Sequence, residues 1–334
     1  MKINKWFAVG FGIVISLVFL WFAFRNLNPA EVWEQIQQVN VGWLIAGALV
    51  YFIAVTIISL RWRFLLRSTQ PVPLTTLIPL VLIGYMGNNL YPFRSGEILR
   101  VILLQRNSGI PVARAATTVI IERVFDGLVM LTFIAVSLLF VDVQVTQIRS
   151  IAMVATPIFL TAVVVFFVLA AQPNLLRRIL HIMGRILPSR IHTIMTRLAD
   201  EVIEGFQALR SPADLAGAVI CSYGSWMVEA VVYWMVSLAF GLDVGYPVML
   251  LTVGVVNLAG LIPASPGQIG VFEFFVSLVL VAMLVPEAEA HAYALVVHVV
   301  IWLPVTLAGF AFLVRQGLGW GAVTHARELE KAAG

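Results

Sequence analysis

Long apolar runs alternate along the chain with short polar stretches that carry most of its charges. A helix needs about 20 mostly apolar residues to cross the hydrocarbon core of a bilayer. Six runs of this kind predict full transmembrane helices: Trp6–Phe24, Trp43–Leu60, Val119–Val141, Ile151–Ala171, Ala213–Phe240 and Ala292–Val314. The pattern therefore predicts an all-α polytopic membrane protein. The first run is too long for the apolar core of a signal peptide, so we expect an uncleaved first helix.

Two further apolar segments, Leu74–Tyr91 and Val248–Val285, are interrupted by glycine and proline. Their interruptions have similar sequences, since residues 90–98 (LYPFRSGEI) align without gaps on residues 261–269 (LIPASPGQI). Four identities in nine positions also arise by chance in a chain of this length. The predicted turn residues are Asn88, Asn89, Pro92, Gly96, Pro263, Pro266, Gly267 and Gly270.

The basic residues predict the orientation of these segments. With the N-terminus in the cytoplasm, 18 of the 21 lysines and arginines fall on the inner side, as the positive-inside rule requires. Both interrupted segments must then return to the face they enter from, one from each side. We therefore predict two re-entrant hairpins of opposite orientation, which in inverted-repeat transporters mark a binding site at mid-membrane. The protein is expected in the cell membrane, with both termini in the cytoplasm.

Composition agrees with this class and excludes others. Hydrophobic residues make up 61% of the chain and charged residues 11%, against about 25% charged in soluble domains. The net charge of +4 is too small to suggest a nucleic acid partner, and the single cysteine excludes an intrachain disulfide framework. No nucleotide-binding, zinc-protease, CxxC or GxSxG motif is present. We therefore expect neither a cofactor nor a metal, and no enzymatic activity.

Ionisable residues inside apolar runs are costly and usually functional. Glu122 and Asp126 lie one helical turn apart on one face, and Arg123 lies three residues before Asp126. These residues either form ion pairs that hold the helices together or line a cavity for a polar headgroup. Glu229 and Glu273 are further intramembrane carboxylates. Burial without a partner would favour the neutral form of Glu229, which makes it a candidate for proton coupling.

Arginines near the first hairpin suggest a phosphate ligand. Arg94 and Arg100 flank Glu97, and a guanidinium fork matches the oxygens of a phosphate. The alternative is that these arginines are ordinary residues of the cytoplasmic side. The predicted headgroup or phosphate site comprises Arg94, Glu97, Arg100, Arg123 and Gln268. His291 and His298 lie seven residues apart and are expected to anchor their helix at the membrane interface.

The same motifs resemble those of a known family. They are P-x-R-x-G-E-x-x-R from Pro92, E-R-x-x-D from Glu122, and P-x-x-P-G-x-x-G-x-x-E from Pro263. The chain resembles the flippase-like UPF0104 family, which includes the transmembrane flippase domain of lysylphosphatidylglycerol synthases. Gln268 departs from the glycine that the family often has there. The resemblance implies one flippase-like transmembrane domain over residues 1–315, followed by a polar tail at 316–334.

Two functions are consistent with the sequence. The first is a lipid translocase that moves a phospholipid or a polyprenyl-phosphate-linked lipid between leaflets, through a polar cavity between the hairpins. The second is a lipid-binding membrane scaffold for a lipid or glycan biosynthetic enzyme. The basic amphipathic segment 174–210, which is predicted to lie on the cytoplasmic membrane surface, would suit such docking.

Overall fold

The computed structural model describes residues 5–25, 28–91, 94–141, 211–262 and 264–316, with isolated positions between 157 and 178. Every regular element in these ranges is helical. Apart from those isolated positions, the predicted span Ile151–Ala171 and the predicted surface segment 174–210 lie outside the described residues. So do the tail beyond Gln316 and the two predicted turn residues Pro92 and Pro263.

Ten α-helices are described. They are α1 (Lys5–Phe24), α2 (Pro29–Gln37), α3 (Val41–Leu66), α4 (Leu74–Leu90), α5 (Ser95–Ser108), α6 (Val112–Ser137), α7 (Pro212–Phe240), α8 (Tyr246–Ala259), α9 (Val271–Ala282) and α10 (Glu287–Arg315). Among the described helices, α3, α7 and α10 are each long and apolar enough to cross a membrane. A fourth crossing is counted if α1 and α2 form one bent span. The chain is an all-α membrane protein.

The helix α2 was not predicted, because its segment reads as a polar link. Asn28 caps this helix, since its side-chain oxygen accepts a hydrogen bond of 3.0 Å from the amide of Ala30. Pro29 occupies the first turn, where its missing amide costs nothing. Val32 is buried, so one apolar contact and two strong start signals are enough for a short helix.

The antiparallel pair α3 and α7 defines two ends of the helical bundle. At one end Arg67 pairs with Asp214 at 3.2 Å, and we call this the Arg67 end. At the other, the Asn40 amide donates to the carbonyl oxygen of Ala239 at 3.0 Å, and we call this the Asn40 end. The two hairpins can be placed relative to these two ends.

The two predicted hairpins enter the bundle from opposite ends. The first consists of α4 and α5, and its outer residues Thr75 and Arg106 lie beside Gln316 at the Arg67 end. The second consists of α8 and α9, and its outer residues Gly245 and Ala282 lie together at the Asn40 end. Each hairpin turns back inside the bundle, as the distribution of basic residues had predicted.

The two turns have different backbones although their sequences align. In the first turn Arg94 has a left-handed backbone (φ 49°), and Gly96 already belongs to α5. A Cβ on Gly96 would overlap the Gly84 carbonyl oxygen, so this glycine allows α4 and α5 to approach closely. In the second turn Gly267 (φ 69°), Gln268 (φ 59°) and Gly270 (φ 91°) all have a positive φ, which glycine adopts without steric cost. The aligned glycines therefore serve packing in one turn and chain reversal in the other.

Candidate functional site

A cavity of about 440 Å³ lies where the turns of the two hairpins meet. Both turns contribute to its wall, and so do α3, α6, α7 and α10. Its ionisable side chains are Arg61, Arg94, Glu97, Arg123, Asp126, Glu229 and His298, with Tyr51, Tyr85, Tyr91 and Tyr233. A polar cavity at this depth explains how non-helical backbone is tolerated between apolar helices.

Direct contacts join the two turns and α10. Arg94 Nη2 donates a hydrogen bond of 3.0 Å to the carbonyl oxygen of Gly260, at the end of α8. The side-chain amide of Asn89 donates to the Thr306 hydroxyl at 2.8 Å. On the second turn, the Ser265 amide donates to the Ser16 hydroxyl of α1 at 2.9 Å. The first helix thus supports the second turn from the outside.

Seven charged side chains form a continuous ion-pair network beside the cavity. Its links are Arg94–Glu97 (3.8 Å), Glu97–Arg123 (3.5 Å), Arg123–Asp126 (3.3 Å), Asp126–Arg61 (2.5 Å), Arg61–Glu122 (3.7 Å) and Glu122–Arg100. Signs alternate along it, so every described member has an opposite charge on at least one side. Such pairing is what makes buried charges tolerable.

Side chains of the network differ in exposure, although five of the seven line the cavity. Arg61 and Glu122 have side-chain exposures of 2% and 0%, whereas Arg94 and Arg123 have 37% and 41%. The ion pairs of the first alternative and the cavity of the second are therefore both present, and the headgroup role stays a prediction. The buried part holds α3, α5 and α6 together, and the open part presents two guanidinium groups to the cavity.

Arg100 lies in the buried part and does not line the cavity. Its guanidinium pairs with Glu122 and lies 4.8 Å from the ring centroid of Trp62. Trp62 in turn donates to the Thr118 hydroxyl at 2.8 Å. Of the three arginines predicted to contact phosphate, only Arg94 and Arg123 are open to the cavity.

Arg61 is central to the site, and sequence reasoning missed it. Arg61, Arg63 and Arg67 are among the 18 basic residues that the sequence pattern places on the cytoplasmic side. Arg61 instead bonds Asp126, and its Nη1 also reaches the Ser222 hydroxyl at 3.3 Å. The available signal was helical spacing, because Arg61 shares a face with the buried Ile58 and Leu65, whereas Arg63 is exposed.

Glu229 lies in the cavity wall near the middle of α7 and is only 5% exposed. Among the described residues, no basic side chain or hydrogen-bond donor lies within bonding distance of its carboxyl group. Trp226, one turn earlier, donates its indole N–H to Asp126 at 2.8 Å. Among the described carboxyl groups that line the cavity, Glu229 is therefore the one outside the ion-pair network.

Glu273 serves the second hairpin. Its Oε2 accepts a hydrogen bond of 2.6 Å from the Gly270 amide at the start of α9, and its Oε1 lies 2.5 Å from His298 Nδ1. His298 stacks on Phe272 with ring centroids 4.2 Å apart and lines the cavity. His298 and His291 are both buried among neighbouring side chains, at 8% and 7% exposure. Glu273 is a helix cap, and its partner is a histidine and not an arginine.

The other predicted turn and headgroup residues divide into those that line the cavity and those that do not. Asn88, Asn89, Pro266, Gly267 and Gln268 line the cavity, whereas Gly96 and Gly270 do not. A Cβ on Gly270 would collide with the Ser16 carbonyl oxygen, so this glycine admits α1. Asn257 and Trp302 also line the cavity, and neither is among the predicted site residues.

Comparison with known proteins identifies relatives over nearly the whole chain. Residues 9–309 match the family described as the lysylphosphatidylglycerol synthase TM region. A UPF0104 membrane protein of Methanothermobacter thermautotrophicus is 24% identical over 335 residues, 93% of each chain. Another, from Pyrococcus horikoshii, is 23% identical over 337 residues, 94% of this chain and 98% of the relative. The glycosyltransferase AglD of Haloferax volcanii is 24% identical over 88% of this chain, which spans only 51% of that protein.

Proposed function

We propose that this chain, which belongs to the lysylphosphatidylglycerol synthase transmembrane-region family, moves lipids with anionic headgroups between the two leaflets of its membrane. The headgroup phosphate of a phospholipid or of a polyprenyl-phosphate-linked lipid would enter the cavity between the hairpins. The acyl or prenyl chains would stay in the surrounding bilayer. On this proposal the chain forms and breaks no covalent bond, and needs no cofactor.

The observation that carries the proposal is the pair of open guanidinium groups, Arg94 and Arg123, on either side of Glu97. Arg94 pairs with Glu97, Arg123 pairs with both Glu97 and Asp126, and both guanidinium groups line the cavity. Charged donors of this kind bind phosphate oxygens through strong hydrogen bonds. A phosphate between them would complete the coordination that Glu97 begins.

The position of the site supports movement across the membrane and not only binding. The cavity lies between hairpins that come from opposite ends of the bundle, and in transporters built this way rocking or gating of one half against the other opens a fixed site to each face in turn. Leu261, at the edge of the cavity, is 73% exposed and presents an apolar surface for a lipid tail. A polar chamber beside an open apolar edge suits a molecule with a charged head and a long tail.

The distribution of basic residues supports an orientation with the Arg67 end and both termini in the cytoplasm of the cell. The phosphate-binding hairpin of α4 and α5 would then enter from the cytoplasmic side. With no nucleotide-binding motif in the chain, lipid movement would be downhill or coupled to an ion gradient.

A second function keeps some support from one relative. The chain aligns with about half of a protein named as a glycosyltransferase, which would suit a domain that presents a lipid to a biosynthetic enzyme. On that reading the cavity binds the same headgroup but does not carry it across.

Reconstitution distinguishes the two. Purified protein in liposomes, with a fluorescent phosphatidylglycerol in both leaflets, is treated with a membrane-impermeant quencher. A translocase removes the plateau of protected fluorescence faster than empty liposomes do, and a scaffold does not. If phosphatidylglycerol and a polyprenyl phosphate probe both cross no faster than in empty liposomes, the translocase proposal fails.

A further inference from the structure

Glu229 is placed where a proton and a lipid phosphate would influence each other. It lies in the wall of the same cavity as Arg94 and Arg123, and it is the cavity carboxyl group without an ion-pair partner in the described part of the chain. A buried carboxyl group without a partner is costly in its ionised form and favours binding a proton. Such groups inside membranes commonly mark proton pathways.

None of the described titratable groups nearest to Glu229 carries a positive charge. From the helices packed against it, the nearest titratable neighbours are a second carboxylate and phenols: Asp126 of α6, Tyr51 of α3, Tyr85 of α4 and Tyr233 of its own helix. His298 of α10 lies in the same cavity wall but is held by Glu273. Asp126 adds repulsion, although Arg61 and Arg123 pair with it. Arg61 and Arg123 are thus already paired with Asp126, and neither forms an ion pair with Glu229.

An anion in the cavity makes the ionised form of Glu229 still less favourable. A headgroup phosphate on Arg94 and Arg123 would add a further negative group to the cavity of about 440 Å³ that Glu229 lines. Like charges in such surroundings repel strongly, and a proton on the carboxyl oxygen removes the repulsion. Linkage is reciprocal, so the proton also strengthens phosphate binding by the same factor.

We propose that Glu229 is the proton-binding site of this cavity and that one proton crosses the membrane together with each anionic headgroup. The carboxylate takes the proton on the side where the lipid enters and releases it on the side where the lipid leaves. A proton gradient then drives the lipid toward the leaflet that faces the alkaline compartment. This inference rests on the proposed lipid translocation and specifies what drives it.

The test uses wild-type proteoliposomes with fluorescent phosphatidylglycerol, a pH gradient of either sign, and the membrane potential clamped by potassium and valinomycin. Protein-free liposomes under the same gradient give the background, because acidic lipids redistribute slowly on their own. We expect the label to accumulate in the alkaline-facing leaflet several-fold over this background, and to reverse when the gradient is reversed. A pH-sensitive dye inside the liposomes should show the lumen becoming more acidic as lipid moves to the inner leaflet.

The variant Glu229→Gln, which keeps the shape and loses the titration, should still fold but no longer respond to the gradient. Asp243→Asn is the matched control, because Asp243 is an exposed carboxylate beyond the end of α7. If the wild type equilibrates lipid equally with and without a gradient, the proton inference is overturned and translocation stands. If no lipid crosses at all, both fall. The inference would also be overturned if Glu229→Gln still responded to the gradient but no longer moved lipids with an amine in the headgroup. Glu229 would then be a binding site for the ammonium group of the lipid.

Discussion

Arg94 donates a hydrogen bond of 3.0 Å to the carbonyl oxygen of Gly260, and so joins the turns of two hairpins that enter the bundle from opposite ends. The same guanidinium lies 3.8 Å from Glu97 on its own hairpin. A guanidinium group has five N–H donors in one plane, so Arg94 can hold the Gly260 carbonyl and still offer donors to a phosphate in the cavity. Arg94 therefore connects a bound headgroup to both hairpins.

Replacing Arg123 by alanine is expected to lower lipid translocation by about tenfold or more. A hydrogen bond to a charged group is worth about 1.5–3 kcal/mol, and about 1.4 kcal/mol is a factor of ten. Arg63→Ala is the matched control, since Arg63 is an exposed arginine on α3 outside the cavity. Leaflet exchange in proteoliposomes measures both. Equal rates for the two variants would remove Arg123 from the headgroup site.

Replacing Asp126 by alanine is expected to destabilise the fold. The change leaves Arg61 buried without its 2.5 Å partner, and breaking a buried ion pair from one side costs about 3–5 kcal/mol. The free energy of unfolding in detergent, followed by tryptophan fluorescence, measures the loss. Arg67→Ala breaks an exposed pair, in which the arginine is 54% exposed, and should cost no more than about 1 kcal/mol. A similar cost at both positions would contradict the structural role of the buried network.

Gly96→Ala is expected to destabilise the first hairpin by about 1–3 kcal/mol, the usual cost of overpacking. The new methyl group would overlap the Gly84 carbonyl oxygen and force α4 and α5 apart. Gly10→Ala in α1 meets nothing within 4 Å and should be neutral, or stabilising by up to about 1 kcal/mol. Thermal unfolding compares the two variants, and an equally stable Gly96→Ala protein would show that the close approach is not needed.

Glu273→Gln is expected to weaken the second hairpin. The Glu273 carboxylate contacts both the backbone N–H of Gly270 and the ring of His298. A glutamine side chain has one acceptor oxygen and no negative charge, so the free energy of unfolding should fall by about 1–3 kcal/mol. Glu287→Gln, at the exposed first turn of α10, should lose only its helix-dipole interaction of about 0.3–1 kcal/mol. Hydrogen exchange of α9 measures the difference directly. Unchanged protection of α9 in Glu273→Gln would show that the cap is not needed.

The sequence predicted the hairpins better than it predicted the site between them. Broken apolar segments and the counts of basic residues specified two reversals of opposite orientation, because both signals are local and depend only on the bilayer. The contacts of the charged residues could not be read in this way. Arg100 and Arg94 stand six residues apart in one basic stretch, yet one is buried against Glu122 and the other faces the cavity.

The chain by itself determined that this is an all-α membrane protein with charges at membrane depth, since apolar length and charge cost are properties of the residues alone. Only the tertiary structure decided which charges meet. Arg61 of α3 and Asp126 of α6 are 65 residues apart in sequence and 2.5 Å apart in space. Helix periodicity gives the face of a side chain but not the helix packed against that face. The division between buried ion pairs and open arginines, and the isolation of Glu229, depend on that packing.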